Sequence, residues 1–255
     1  MEAGSREMTK NRKKRKRLRV IGIQNCEVEG FGCFGEALEA RGLEFGIRHV
    51  YREPQFPKPE TFDAVLVGGT PVSVYAIDGH PFLSDERKWL NAVKSAGKPC
   101  LGICFGAQIL ASILGAPVRR APRMEIGIFE VELTDAGRKE PLFAGFPPRF
   151  PFFQWHGDTF DLPRPASLLV HGRDCVNQVF RSGSTSGLQF HLELGVSDAM
   201  RWADAYPEEL AVSGKTREEL KAELETTEPA RRDLSETFID RFVDWIRQTS
   251  YPDRI

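Results

Sequence analysis

Residues 99–108 read Pro-Cys-Leu-Gly-Ile-Cys-Phe-Gly-Ala-Gln, and this stretch restricts the fold more than any other in the chain. An almost wholly apolar strand, Pro99 to Ile103, runs into Gly-x-Cys-x-Gly, and a helix from Phe105 to Leu114 starts at once before Gly115-Ala116-Pro117 stops it. This is the cysteine version of the nucleophile elbow. The turn is so sharp that its central residue takes a strained backbone conformation. Glycines two before and two after leave room for neighbouring chain. The helix points its first N–H groups and positive dipole end at the sulfur. Cys104 is therefore the candidate nucleophile, with a thiol expected to ionise more readily than a free cysteine.

The flanking pattern extends the same reading. Strand candidates at Val20–Ile23, Phe45–Tyr51 and Asp63–Val67 alternate with helix candidates at Phe34–Arg41 and Phe82–Ala96. That alternation predicts βαβ units and a mostly parallel central sheet covered by helices on both faces, an α/β fold. The second half differs. Ile126–Leu133, Ser167–His171, Val176–Phe180 and Gly187–His191 are strand-like, the last three separated by short turns, and Pro141–Pro151 reads as a proline-rich loop. From Ser197 the composition becomes helical and charged, with Phe238, Phe242 and Ile246 recurring every four residues.

Charge is divided along the chain. Residues 1–19 hold nine Lys/Arg against two Asp/Glu, leaving 26 basic and 34 acidic residues in the remainder. The run Lys10–Arg19 repels itself and has nothing to bury. We expect residues 1–18 to form a basic, solvated, disordered tail and 19–255 to form one domain. The tail is the sole footprint for nucleic acid. No apolar run approaches the roughly 20 residues that span a bilayer. The N-terminus lacks the apolar stretch of a signal peptide. Five cysteines without a Cys-x-x-Cys suit a reducing compartment, which makes cytoplasmic localisation the expectation.

Three further segments carry candidate chemistry. In Leu188-Gln189-Phe190-His191-Leu192-Glu193, an extended backbone puts His191 and Glu193 on one face. There the carboxylate fixes the imidazole tautomer and stabilises its protonated form. Val67-Gly68-Gly69-Thr70-Pro71 ends an apolar strand where a backbone N–H of Gly69, paired with that of Phe105, can build an oxyanion hole. Gln154-Trp155-His156-Gly157-Asp158-Thr159-Phe160 reads as a binding loop rather than core, the alternative being a loop whose aromatic residues pack underneath it.

Two patterns are set aside. Gly30-Phe31-Gly32-Cys33-Phe34-Gly35 fits a dinucleotide fingerprint, but Gln24–Glu29 intervenes after the strand, with four polar or acidic positions. Ser213-Gly214-Lys215-Thr216 lacks the leading glycine of a phosphate-binding loop. The five histidines show no metal-ligand spacing, so neither metal nor cofactor is expected.

Taken together, the four segments resemble the class I glutamine amidotransferases from about Arg19 to Glu193, with weaker similarity through the C-terminal helices. Gly102-Ile103-Cys104-Phe105-Gly106-Ala107-Gln108 matches that family's nucleophile motif. Gln189-Phe190-His191-Leu192-Glu193 matches its His-x-Glu motif, with Leu192 where many members have proline. Gly68-Gly69, Pro71–Tyr75 and Trp155–Asp158 look like the stand-alone branch related to the amidotransferase domain of GMP synthetase. The resemblance implies a flavodoxin-like fold and a Cys104-His191-Glu193 triad that hydrolyses the glutamine side-chain amide through a thioester. Ammonia would pass to a separate synthase. It further implies oxyanion donors at Gly69 and Phe105, and substrate contacts from Gln108, Gly157 and Asp158. A γ-glutamyl peptidase with the same triad and a catalytically silent binding module are the two other readings.

Overall fold

A computed structural model describes residues 17–252. The expected tail lies almost entirely outside the described residues. Leu18, at its end, is already buried in the core.

Five strands form the parallel half of one nine-stranded sheet. They are β1 (Arg19–Gln24), β2 (Glu44–His49), β3 (Ala64–Val67), β4 (Cys100–Ile103) and β9 (Thr185–Leu188), in the spatial order β2-β1-β3-β4-β9. β3, β4 and β9 are buried at every position, which is why β3 and β4 read as unbroken apolar runs rather than alternating ones. The order continues β8 (Asn177–Ser182), β7 (Ser167–His171), β5 (Val118–Leu133), β6 (Arg149–Phe160), and every pairing beyond β9 is antiparallel. Short turns signal this second regime, since a parallel pair needs a long crossover and an antiparallel pair does not.

Alternation across the strands sorts the core into two layers. On one face Val20, Leu66, Leu101 and Ile103 pack with α1 (Phe34–Ala40) and with the stripe Phe238, Phe242, Ile246 of α6 (Arg217–Ser250). On the other, Ile21, Ile23, Val65 and Val67 pack with α2 (Pro81–Ser95) and α3 (Phe105–Ile113). A third cluster joins Phe153 and Trp155 of β6 to α4 (Val196–Ala205) and to Leu210 of α5 (Pro207–Val212).

Residues 154–160 form the end of β6 rather than a loop. The prolines suggest a loop, but β6 is an edge of the ladder, and an edge strand tolerates Pro151 opposite Glu130. Ser213–Thr216 is the α5–α6 connection. There Gly214 takes φ +75° and Thr216 caps α6 by accepting the Glu219 N–H at 3.2 Å.

Two consequences are measurable. Phe242 is fully buried, with its ring 6.3 Å from that of Phe34. Phe242→Ala should destabilise the fold by about 3–5 kcal/mol in denaturant titration. Glu86 on α2 is also fully buried, with one hydrogen bond from Asn25 at 3.4 Å. Desolvation pushes its carboxyl from 4.5 up to about 8. The folded chain therefore keeps a proton that the unfolded chain releases, and Glu86 subtracts stability as pH rises from 4.5 to about 8. Glu86→Gln should melt above the wild type at pH 8, with the gap closing toward pH 4.5. Parallel melting curves across that window would contradict this assignment.

Candidate active site

Between β4 and α3, Cys104 takes φ 54° and ψ −112° and is the one non-glycine with positive φ among the described residues. The two glycines around it are sterically required. A Cβ on Gly102 would strike the backbone of Gly106, and a Cβ on Gly106 would strike the Val67 carbonyl of β3. The Cys104 N–H donates to the Leu188 carbonyl at 2.8 Å, which ties the elbow to the end of β9. The backbone N–H of Phe105 interacts with the sulfur. Gly69 stands so close that its Cβ would lie 3.9 Å from that of Cys104.

β9 ends at Leu188, earlier than the pattern suggests, and the next residues leave the ladder. The His191 N–H then donates to the Phe153 carbonyl of β6 at 2.8 Å, so the far edge of the sheet curls back to its centre. The His191 ring stands edge-on to Trp202, centroids 4.8 Å apart, and its Nδ1 is 2.7 Å from Glu193 Oε1. Nε2 is buried and has no hydrogen-bond partner among the described residues. The Glu193 carbonyl accepts the Cys33 N–H at 2.9 Å, and a Cβ on Gly32 would collide with it. The glycine-rich run 30–35 thus seats the acid of the pair.

Electrostatics depart from expectation at the cysteine. Burial pushes the Cys104 thiol up, and the nearby His191 recovers only part of that shift. Desolvation therefore outweighs the helix N-terminus. Burial alone would lower His191, but the Glu193 carboxylate and Cys104 raise it to about 10. The imidazole is held as a proton carrier.

The other expected residues border the same cleft. Buried Gln108 donates through Nε2 to the Asp158 carbonyl and to Gln189 Oε1, both at 3.2 Å. Gln189 in turn donates to Cys104 Sγ at 3.8 Å. The Cys104 thiol donates to the Trp155 carbonyl at 3.7 Å. Gly157 and Asp158 line the cleft, and Asp158 accepts from the Tyr75 hydroxyl at 3.1 Å and pairs with Arg120 at 3.5 Å.

Sequence reasoning misses Glu29 and Glu209, which also line the cleft. Glu29 sits in the polar interval 24–29 after β1, and the Tyr206 hydroxyl donates to its Oε1 at 3.2 Å. Desolvation pushes Glu29 up to about 7. The Trp155 indole N–H donates to Glu209 at 2.6 Å. Histidine spacing also gives no sign that Glu125, His156 and Cys175 place ligand-type atoms within 4.8 Å of one another. These residues are hydrogen-bonded, with Gln154, Gln178 and Thr159, into a network that joins β5, β6 and the β7–β8 turn beneath the cleft.

The role of Glu193 can be tested without turnover. Glu193→Gln removes the charge that raises the proton affinity of His191, so the imidazole should titrate well below about 10 in nitrogen-detected NMR. An unchanged titration would place the cause elsewhere.

Comparison with known proteins agrees with this geometry. The family model described as glutamine amidotransferase class-I matches residues 31–201. The glutamine amidotransferase-like protein YfeJ of Salmonella typhimurium is 30% identical over 184 residues, covering 70% of this chain and 77% of that protein. A glutamine-hydrolyzing GMP synthase subunit from Sulfolobus acidocaldarius is 33% identical over 139 residues, covering 52% of this chain and 68% of that protein. The chain spans only 23% and 26% of two longer GMP synthases that it also matches. The crystal structure of a glutamine amidotransferase from Thermotoga maritima superposes with a TM-score of 0.83 at 32% identity, covering 90% of this chain and 99% of that one. The chain belongs to the class I glutamine amidotransferase family.

Proposed function

We propose that this enzyme hydrolyses the side-chain amide of glutamine through a glutamyl thioester on Cys104. One arrangement carries the reading: a cysteine in a strained elbow, an imidazole held by a carboxylate at 2.7 Å, and a cleft that opens onto the sulfur.

The sulfur attacks the γ-carbonyl carbon while its proton passes to His191. Gly69 and Phe105 N–H groups hold the oxyanion that forms. His191 protonates the leaving nitrogen, the C–N bond breaks, and the C–S thioester remains. Water, deprotonated by the same imidazole, then releases glutamate. Glu193 orients His191 and keeps it basic enough to carry the proton. Gln108, Gly157 and Asp158 hold the amino-acid end of the substrate, where the Asp158–Arg120 pair offers one charge of each sign.

Similarity to the glutamine-hydrolyzing component of a GMP synthase supports a separate synthase as the recipient of the ammonia. A cytoplasmic setting is proposed from the cysteine usage; among the described residues no helix is long and apolar enough to cross a membrane. Residues 1–18 are proposed to be an appendage to a single catalytic domain.

Purified protein should release ammonia from glutamine, and Cys104→Ala should lower that rate by about a thousandfold or more. A variant as active as the wild type would remove the mechanism.

A further inference from the structure

Two carboxyl groups in the cleft have no part in the chemistry above. Glu29 is 6% exposed, and its Oε2 has no hydrogen-bond donor among the described residues. Glu209 is half-buried and is held by the Trp155 indole. Neither forms an ion pair with a lysine or arginine among the described residues, and the one arginine lining the cleft, Arg120, pairs with Asp158. A buried carboxyl group without a counter-ion is costly, and a cationic ligand removes that cost.

Their side of the cleft is defined by their neighbours. Trp155, which holds Glu209, has its ring 6.1 Å from that of Trp202, and Trp202 stands 4.8 Å from the His191 ring. A nitrogen protonated by His191 must leave on the imidazole side, beside the rings that hold the two acids; Glu29 also reaches Gly69, where a Cβ would lie 2.1 Å from its Oε2. The α-amino and α-carboxylate groups of the glutamyl moiety belong to the Asp158–Arg120 end. Aromatic rings accompany the acids: Trp155 and Tyr206 lie 6.3 Å apart by centroid. Carboxylates beside aromatic rings form a setting suited to an organic ammonium ion. Glu29, Tyr206 and Glu209 all lie outside the residues matched by the family model. The wall is built from the β1–α1 loop and the α4–α5 segment.

We propose that Glu29 and Glu209 form a cation-binding wall on the leaving-group side of Cys104, and that the enzyme takes γ-glutamyl amides whose amine portion carries a second, positively charged amino group. This inference rests on the hydrolase reading above and names its substrate class. The step balances without a co-reactant. The thiol proton passes through His191 to the amide nitrogen, the C–N bond breaks as the C–S bond forms, and the diamine leaves. Water then returns the thiol and glutamate.

Binding isolates the charge preference from turnover. Calorimetry on the Cys104→Ala protein would compare three amides of matched length. They are the mono-γ-glutamyl amide of a linear diamine, γ-glutamyl-n-butylamide, and the γ-glutamyl amide of an ω-amino acid. The diamine amide should bind about tenfold or more tighter than the neutral one, with the anionic amide weakest. Adding Glu209→Gln should reduce that preference to less than about threefold. Neutral-amide affinity serves as the check that the variant remains folded, and Glu29→Gln provides a second variant. Equal affinities, binding of none of the three, or a preference that survives in both Glu→Gln variants would overturn the proposal. Glutamine hydrolysis by the wild type is scored separately, so loss of the hydrolase reading and loss of the charge preference are distinct outcomes.

Discussion

The close approach of Gly106 to the Val67 carbonyl is the contact on which the rest of the site depends. It brings the start of α3 down onto β3 with no side chain between them. The chain can then make the β4–α3 turn only by placing Cys104 at positive φ, a conformation that costs about 1–3 kcal/mol for a non-glycine residue. The buried strands on either side hold it there, since β3, β4 and β9 lose their packing if the turn relaxes. The same turn fixes the second half of the site. The hydrogen bond from the Cys104 N–H to Leu188 ties the elbow to the end of β9. His191 is three residues beyond that anchor, close enough to be delivered to the sulfur without a long loop.

Burial then determines how the site handles protons. His191, Glu193, Glu29 and the thiol share one poorly solvated space, where each charge is costly alone and strongly felt by its neighbours. The thiol is kept protonated and the imidazole basic, so the proton needed by the departing amine is already in the site. In the proposed mechanism, attack and leaving-group protonation become one relay through His191. The edge-on Trp202 ring and the main-chain bond to Phe153 hold the imidazole in place for both.

What the sequence discloses follows from how local each feature is. The elbow spans seven residues and the His-x-Glu pair three, so their geometry is written in adjacent positions. The spacing of the Gly30–Gly35 run argues against a cofactor, yet its purpose, to admit the Glu193 carbonyl beside Gly32, lies more than 150 residues away in the chain. Residues 154–160 read as a loop because local proline content hides an edge strand whose partner is β5. The thiol's protonation escapes the sequence for a related reason: helix position can be read there, and the depth of burial that overrides it cannot. Glu29 meets Tyr206 and Glu209 only after α4 and α5 have folded over β6, a juxtaposition that no periodicity encodes.

That acidic wall has a chemical consequence for the fate of the nitrogen. Ammonia can attack an acceptor only as the free base, whereas paired carboxyl groups at the point of departure favour ammonium. An amidotransferase built to pass ammonia onward would gain by removing acids from that side of the sulfur. Here the fold places two there and braces each with an aromatic donor, Tyr206 for Glu29 and Trp155 for Glu209. A wall of this kind is matched to a leaving group that is meant to be a cation, either within the bound substrate or as a product that departs to water.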